Sequence, residues 1–445
     1  MAADADLLPA LLAAARAAGA DAADAVLIGG TSLGVQRRLG QTEHVERSES
    51  RELGLRAFVG RRAAIVSSSV LDPAGFAALA ERAVAMARVL PEDPYAGLAA
   101  EMVAPPADAG PLDLDDPGEP DVAALLDRAA AAEDAALATP GITNTEGAEA
   151  GFGRMEIALA TSAGFLGQYR RSSHSVAATA LAGSGTGMQR DYDYASAVHA
   201  ADLEDGAAIG RRAAERALAR LDPARPATAT VSVVYDPRVA GSLVGHLLSA
   251  INGASVARGT SFLRERMGAR VFAAGITIRD DPHRVRGPRS TSFDGEGVPT
   301  APRDLIADGV LTTWLLDSRS ARQLGLRSTG HAGRGTGGPP SPGATNVHLA
   351  PGTVSPAALI ADIRLGLYVT ELIGMGVNGV TGDYSRGAVG FMIRDGAIAE
   401  PVAEITVAGN LVEMFGRLVP ADDLQFRRAV NAPTVRIDGM TMAGA

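Results

Sequence analysis

The sequence predicts an α+β protein in two domains. The first, residues 1–225, is expected to be antiparallel sheet with flanking helices, and the second, residues 226–445, β-rich with few helices. Three observations carry this. In the first half, long Ala/Leu-rich stretches with helical patterning alternate with groups of short alternating runs. At Asp222 to Thr228 (DPARPAT) two prolines and a change of pattern mark a linker, which puts a boundary near 225. Beyond it the chain is rich in Gly and Asp turns. A chain of 445 residues is also too long for one ordinary core.

In order, Leu7 to Ala18 reads as a helix and Asp24 to Gly29 (DAVLIG) as a strand. From Gly34 to Ser69 come short alternating runs with Gly60 at a turn, the pattern of an antiparallel meander. Phe76 to Val89 is an amphipathic helix, and Pro91 to Pro120, rich in Pro, Asp and Gly, reads as a surface loop. Val122 to Ala138 is a second Ala-rich helix. Residues 141 to 199 return to short strands with turns at Gly164 and at Gly183 to Gly187, and Ala207 to Leu221 is a helix with its arginines outward. Past the linker, Ala229 to Tyr235 (ATVSVVY) reads as a buried strand. Leu305 to Leu311 (LIADGVL) and Phe391 to Ile398 (FMIRDGAI) each place Asp-Gly between apolar runs, the strongest short hairpin signal. Pro356 to Val369 starts helical and turns extended, Asn410 to Leu418 is a short helix, and Thr434 to Ile437 is a closing strand.

The stretch Asp236 to Gly253 (DPRVAGSLVGHLLSAING) has the pattern of a buried helix. Val239, Leu243, Leu247 and Ile251 recur every four residues, with Val244 and Leu248 beside them. Asp236 suits the cap, Pro237 the first turn, and Gly253 the end. Two features are odd for a core helix. Gly241 and Gly245 each cost about 1 kcal/mol against Ala unless something packs close to the backbone. His246 sits among apolar residues with no acidic neighbour in the helix. Either this is a packing helix with one satisfied histidine, or it is a metal-binding helix that has lost its ligands.

Composition removes whole classes of chemistry. Aromatic residues are 4% of the chain, too few for the stacking platforms that hold single-stranded nucleic acid. The net charge of −10 argues against a large sequence-independent DNA surface. Arg211, Arg212 and Arg216 look like the wet face of a helix rather than a basic patch. There is no Cys, hence no thiol nucleophile, disulfide or thiolate-bound metal. There is no Lys, hence no Schiff-base or P-loop lysine. Asp4 and Asp6 stand where a signal peptide needs positive charge, and no stretch reaches the ~18 apolar residues of a membrane span, so a soluble cytoplasmic protein is expected.

Gly30 to Gly34 (GTSLG) matches the G-x-S-x-G nucleophile elbow, which requires strand, sharp turn and helix. Here Ser32 leads into another strand, so a serine nucleophile is not expected. The glycine runs 183–187 and 333–338 read as turns rather than anion nests. Asp280, Asp281, His283, Asp294 and Glu296 form a loose cluster without EF-hand spacing, read as a polar surface hairpin. The seven His never form H-E-x-x-H or a close pair, so no zinc site is visible. Gly374 to Phe391 (GMGVNGVTGDYSRGAVGF) holds six glycines. Among them are Asn378, Thr381, Gly382, Asp383 and Tyr384, polar groups and backbone that suit either a closed turn or a groove for a peptide main chain.

Most of residues 229 to 445 resembles the TldD/PmbA family, once called modulators of DNA gyrase, and in particular its PmbA (TldE) branch. The resemblance runs through SAINGASVARGTSFLRERMG, ITIRDDPH, STSFDGEGVPT, SARQLGLRSTGHAGR, GLYVTELIGMGVNGVTGDYSRGAVGF and EITVAGNL, in family order. RELGLRAFVGRRAAIVSSS and GTGMQRDYDY extend it more loosely into the first half. It implies a metallopeptidase system in which a TldD-type subunit carries zinc on an H-E-x-x-x-H motif plus a Cys. That subunit pairs with a PmbA-type subunit to cleave unfolded peptides in an enclosed cavity. Laid on this chain, the motif's histidines fall on Gly241 and His246 and its glutamate on Ser242. One imidazole cannot hold zinc where three protein ligands are needed. The resemblance therefore implies a pseudo-enzyme subunit with no metal or catalytic residue of its own, with zinc on a TldD-like partner. Asn378, Thr381, Gly382, Asp383 and Tyr384 would form the substrate or interface groove. The alternative is a non-enzymatic homodimeric peptide-binding or scaffold protein. Direct action on gyrase or DNA rests only on the older family name, and the acidic balance counts against it.

Overall fold

The computed structural model describes residues 6–102 and 112–444. Asp4 and residues 103–111 of the Pro-rich stretch, on which two of the sequence expectations fall, lie outside the described residues.

The first half is one six-stranded antiparallel sheet backed by two helix pairs. Helix α1 (Leu7–Ala17) leads into β1 (Ala22–Arg38), β2 (Gln41–Val59) and β3 (Arg62–Ser68), followed by α2 (Phe76–Val89). After α3 (Val122–Leu137) come β4 (Ile142–Thr161), β5 (Leu166–Ala182), β6 (Gln189–Ala197) and α4 (Gly206–Ala219). The strand order is β3-β2-β1-β4-β5-β6. Helices α1 and α2 bury Leu8, Leu11, Phe76 and Ala80 against Leu53, Leu55 and Val66. Helices α3 and α4 bury Leu125, Ala129, Ile209 and Ala213 against Val176, Ala178 and Ala180. The second pair crosses closely because Gly210 has no side chain: a Cβ there would lie 1.9 Å from Ala132 O. Aspartates cap the helices as their sequence suggests, Asp121 accepting from Ala124 N and Asp205 from Ala208 N.

The expected short runs are in fact four strands of 17 to 20 residues. DAVLIG and GTSLG are one continuous strand, in which Ser32 pairs with Ser48 on one side and Gly153 on the other. A nucleophile elbow is thereby excluded, since the ladder runs straight through it. The arginines of α4 are spent on carboxylates: Arg212 reaches Asp193 and Glu204, and Arg216 reaches Asp193.

The second half opens with β7 (Ala229–Tyr235), α5 (Pro237–Ala250) and the short α6 (Gly253–Ala257). Small strands follow: β8 (Ile278–Asp280), β9 (Arg303–Ala307), β10 (Val310–Leu311), then α7 (Ser318–Gln323), β11 (Ala332–Gly333), β12 (Ser341–Pro342) and β13 (Val347–Leu349). After α8 (Pro356–Ile360) come β14 (Leu365–Ile373), β15 (Asp383–Arg394), β16 (Ala397–Asn410), α9 (Leu411–Gly416), β17 (Val419–Pro420), β18 (Val430–Asn431) and β19 (Val435–Ala443). One sheet runs β16-β15-β14-β7-β19-β17, and an added β16–β19 pairing closes its long strands into a ring. A smaller sheet runs β10-β9-β8-β13-β18. Both Asp-Gly hairpins form as predicted, with Asp308, Gly309, Asp395 and Gly396 all at positive φ.

The predicted linker is pinned rather than loose, because Ala224 N donates to Pro401 O at 2.8 Å. Ion pairs also join the halves: Arg238 to Asp191 (2.8 Å) and Arg220 to Glu371 (2.6 Å). No helix among the described residues is long and apolar enough to cross a membrane.

Candidate functional site

Helix α5 lies between the two sheets of the second half. Its buried face, Leu243, Val244 and Leu247, packs into the core that includes Val233, Leu367 and Val369. Full burial of each such leucine contributes about 1.5–3 kcal/mol. Asp236 caps it by accepting from Arg238 N at 2.8 Å, and Pro237 occupies the first turn, as the sequence indicates. Its end differs from expectation. Gly253 does not close α5, which stops at Ala250; it opens α6, capped by Asn252. A Cβ on Gly253 would meet Leu315 O at 2.7 Å, so close packing and not a left-handed turn selects glycine there.

The three motif positions have distinct surroundings. A Cβ on Gly241 would meet Val430 O at 3.2 Å, so β18 approaches α5 closely at that point. Ser242 turns its hydroxyl back on the helix and donates to Val239 O at 2.6 Å. His246 is half-buried with its ring edge-on to Tyr384 at 5.8 Å, and its buried Nε2 has no hydrogen-bond partner among the described residues. Burial first, and the Arg386 guanidinium second, push the His246 pKa down to about 4. Gly245, one residue earlier, faces open space.

These residues do not fit zinc. Only His246 offers a ligand atom, Ser242 is committed to a carbonyl, and the charge acting on the imidazole is an arginine, which opposes a dication. Among the described residues no three His, Asp or Glu side chains gather as a metal site.

Of the other predicted site residues, four form a closed turn between β14 and β15. Asn378 Oδ1 accepts from Val380 N (2.9 Å), and Thr381 Oγ1 donates to Asp383 Oδ2 (2.6 Å). Gly382, at φ +82°, donates its N–H to Asn378 O, and Asn410 Nδ2 donates to Thr381 O. The side-chain groups of Asn378, Thr381 and Asp383 are thus spent on the turn. Tyr384 leaves the cluster: its ring is buried against His246, beside Tyr235. What the turn presents outward is apolar. Met375 is 88% exposed, with Ile373 and Val380 exposed beside it.

The acidic cluster of residues 280–296 is not a surface hairpin, because Asp280, Asp294 and Glu296 are buried. Each is used separately. Asp280 Oδ2 pairs with His331 Nε2 at 2.9 Å and accepts from Thr345 N at 3.0 Å. Asp294 accepts from the backbone of Glu296, Val298 and Ala332. Glu296 reaches across the halves to Arg56 (3.5 Å), which is held by Asp24 through a 2.9 Å hydrogen bond from Nε. Sequence reasoning missed this junction, in which Arg56 and Glu296 lie 240 residues apart. Arg386 stands among the polar groups of the 374–391 stretch that the sequence singles out, but its action on His246 was not foreseen.

The architecture is an α+β scaffold with a largely buried helix, α5, between the two sheets of the second half. Residues 228–444 match the PmbA/TldA metallopeptidase C-terminal domain, 115–221 its central domain and 23–87 its domain 1. The chain belongs to the PmbA/TldD metallopeptidase family. It is 38% identical to Metalloprotease PmbA of Escherichia coli O157:H7, over 95% of this chain and 92% of that protein. Its fold matches that of a candidate modulator of DNA gyrase from Bacteroides thetaiotaomicron, with TM-score 0.85 and 25% identity over 99% of this chain and 98% of that one. TldE from Thermococcus kodakarensis shares the fold, with TM-score 0.85 and 20% identity over 98% and 99%.

Proposed function

We propose that this chain is the metal-free, PmbA/TldE-type subunit of a two-subunit TldD-type zinc peptidase that degrades or processes unfolded peptides. It would shape the chamber and hold substrate while the partner performs metal-activated hydrolysis. The observation that carries the reading is helix α5. By the family resemblance Gly241 and Ser242 would stand where a ligand and a base are needed; the Ser242 hydroxyl is committed to Val239 O, and His246 is neutral beside Arg386. The relative's name, metalloprotease, then describes the assembly to which such a chain contributes. The exposed apolar group at Ile373, Met375 and Val380 supports a protein partner on the adjacent turn. Extended substrate would be held by main-chain hydrogen bonds.

The test is co-purification with the TldD-like homologue, then zinc analysis and peptide cleavage with each subunit alone and together. Cleavage and zinc that appear only with the partner support the proposal. Stoichiometric zinc and cleavage by this chain alone would overturn it. A chain that recovers only itself would favour the homodimeric scaffold.

A further inference from the structure

The junction between the halves holds a cavity of ≈ 260 Å³, walled by β1, β4 and β5 on one side and by segments 289–295 and 330–345 on the other. Part of the wall is apolar. Val26, Leu159 and Phe293 are buried there, with the Tyr169 ring 5.6 Å from that of Phe293. The remainder is cationic, with Arg171, Arg289 and Arg334 all lining it.

Two of these guanidiniums keep buried N–H donors without hydrogen-bond partners among the described residues. The Arg334 side chain is 1% exposed, and its Nη1 lies 2.6 Å from Asp24 Oδ1 but out of line for a hydrogen bond. Its Nε and Nη2 have no hydrogen-bond partner among the described residues. Asp24 is shared, since Arg56 donates to its other oxygen at 2.9 Å, and Glu296 is the second carboxylate that acts on Arg334. Arg171 donates Nη2 to Ser290 O at 2.5 Å, and its Nε has no partner among the described residues. The charges acting on Arg171 are Tyr169 and the like-charged Arg289, with no carboxylate among them. Burial lowers the pKa of both Arg171 and Arg334. Unpaired N–H donors on buried cations carry a desolvation cost that an anion supplied from outside would offset. The one acid lining the cavity, Asp294, answers weakly. Burial first and Glu296 second raise its pKa to about 7, and its oxygens already accept three backbone N–H groups. His331 is turned to Asp280.

We propose that this cavity binds a small organic carboxylate with an apolar body, such as an N-acylated amino acid. The carboxylate would lie on Arg171 and Arg334 and the body against Phe293, Leu159 and Val26. Guanidinium matches carboxylate geometry, and the apolar wall selects against a bare, strongly hydrated ion. No lining residue comes from α5 or the 374–383 turn, so the site stands apart from the proposed peptidase role and does not depend on it.

Calorimetric titration of the purified chain with N-acetyl-leucine, N-acetyl-leucinamide and inorganic phosphate tests this. Saturable binding of N-acetyl-leucine is expected, with the amide and phosphate weaker by about tenfold or more. Arg171→Gln is expected to weaken binding by about tenfold or more without lowering the unfolding midpoint, since it removes an unpaired buried charge. Ala344→Leu, which fills the cavity and leaves the arginines in place, is expected to block binding, and it decides the matter if Arg171→Gln does not fold. No saturable binding up to about 10 mM, equal binding of the amide or phosphate, or unchanged affinity in Ala344→Leu would each overturn the proposal.

Discussion

His246 and Tyr384 meet edge to face, their ring centroids 5.8 Å apart and their planes at 75°. The contact joins α5 to the first buried residue of β15, while burial and the Arg386 guanidinium keep the imidazole neutral. The fold lowers the His246 pKa from 6.5 to about 4. The stability this contributes is present above pH ~6.5 and lost as pH falls through about 4. His246→Gln is expected to remove that acid-side loss. Urea unfolding of both proteins at pH 7 and pH 4.5 should show a smaller drop for the variant, by on the order of 1–2 kcal/mol after allowing for partial exposure. Asp294, with its raised pKa, pushes stability the opposite way between about pH 4 and 7, but it does so in both proteins and cancels in the difference. Equal drops would refute the account.

The two glycines of α5 are expected to separate. Gly245 faces open space, so Gly245→Ala gains helix propensity and should raise the unfolding free energy by about 0.5–1 kcal/mol. Gly241→Ala places a methyl 3.2 Å from Val430 O, and the gain should vanish or reverse. Chemical denaturation of the two single variants reads the sign directly.

Arg56 holds the halves together from inside. Its guanidinium pairs with Asp24 and Glu296, and all three side chains are buried. Arg56→Leu leaves Glu296 without its ion-pair partner and both Glu296 and Asp24 with Arg334 as the remaining cation. The expected loss is about 3 kcal/mol, seen as a lower urea midpoint. A loss below about 1 kcal/mol would mean that water reaches the junction.

Met375 is 88% exposed at the tip of the 374–383 turn. Met375→Glu should change the unfolding free energy by no more than about 0.5 kcal/mol, because nothing packs on it. If the turn meets a TldD-type partner, the same change should cut co-purified partner by about tenfold or more. Undiminished recovery would remove this turn from the interface.

The elements that were legible in the sequence were those whose signals are local. The α2 pattern from Phe76 to Val89, the Asp236 cap and both Asp-Gly hairpins depend on residues a few positions apart, and each appears where predicted. Gly30 and Gly34 misled because glycine marks turns and also fills crowded ladders, and only the partner strand tells which. The burial of Asp294 and Glu296 was invisible because their surroundings are supplied by β1, β2 and the 330–345 segment. On α5, the isolation of His246 from any acidic neighbour in its own helix was legible, whereas the cation that acts on it, Arg386, comes from β15, far along the chain.

The pairing of β1 with β4 sets the order in which the chain can fold. Asp24 is opposite Thr161, and every residue of the first sheet's middle seam waits for a strand that begins at Ile142. The roughly one hundred residues between them take on the order of 5–20 s to synthesise at about 5–20 residues per second. Until then one side of β1 is an open edge, rich in Val, Leu and Ile and able to template a neighbouring chain. Such long-range pairing is slow by topology, so recovery of folded protein should be limited by nascent-chain protection rather than by final stability.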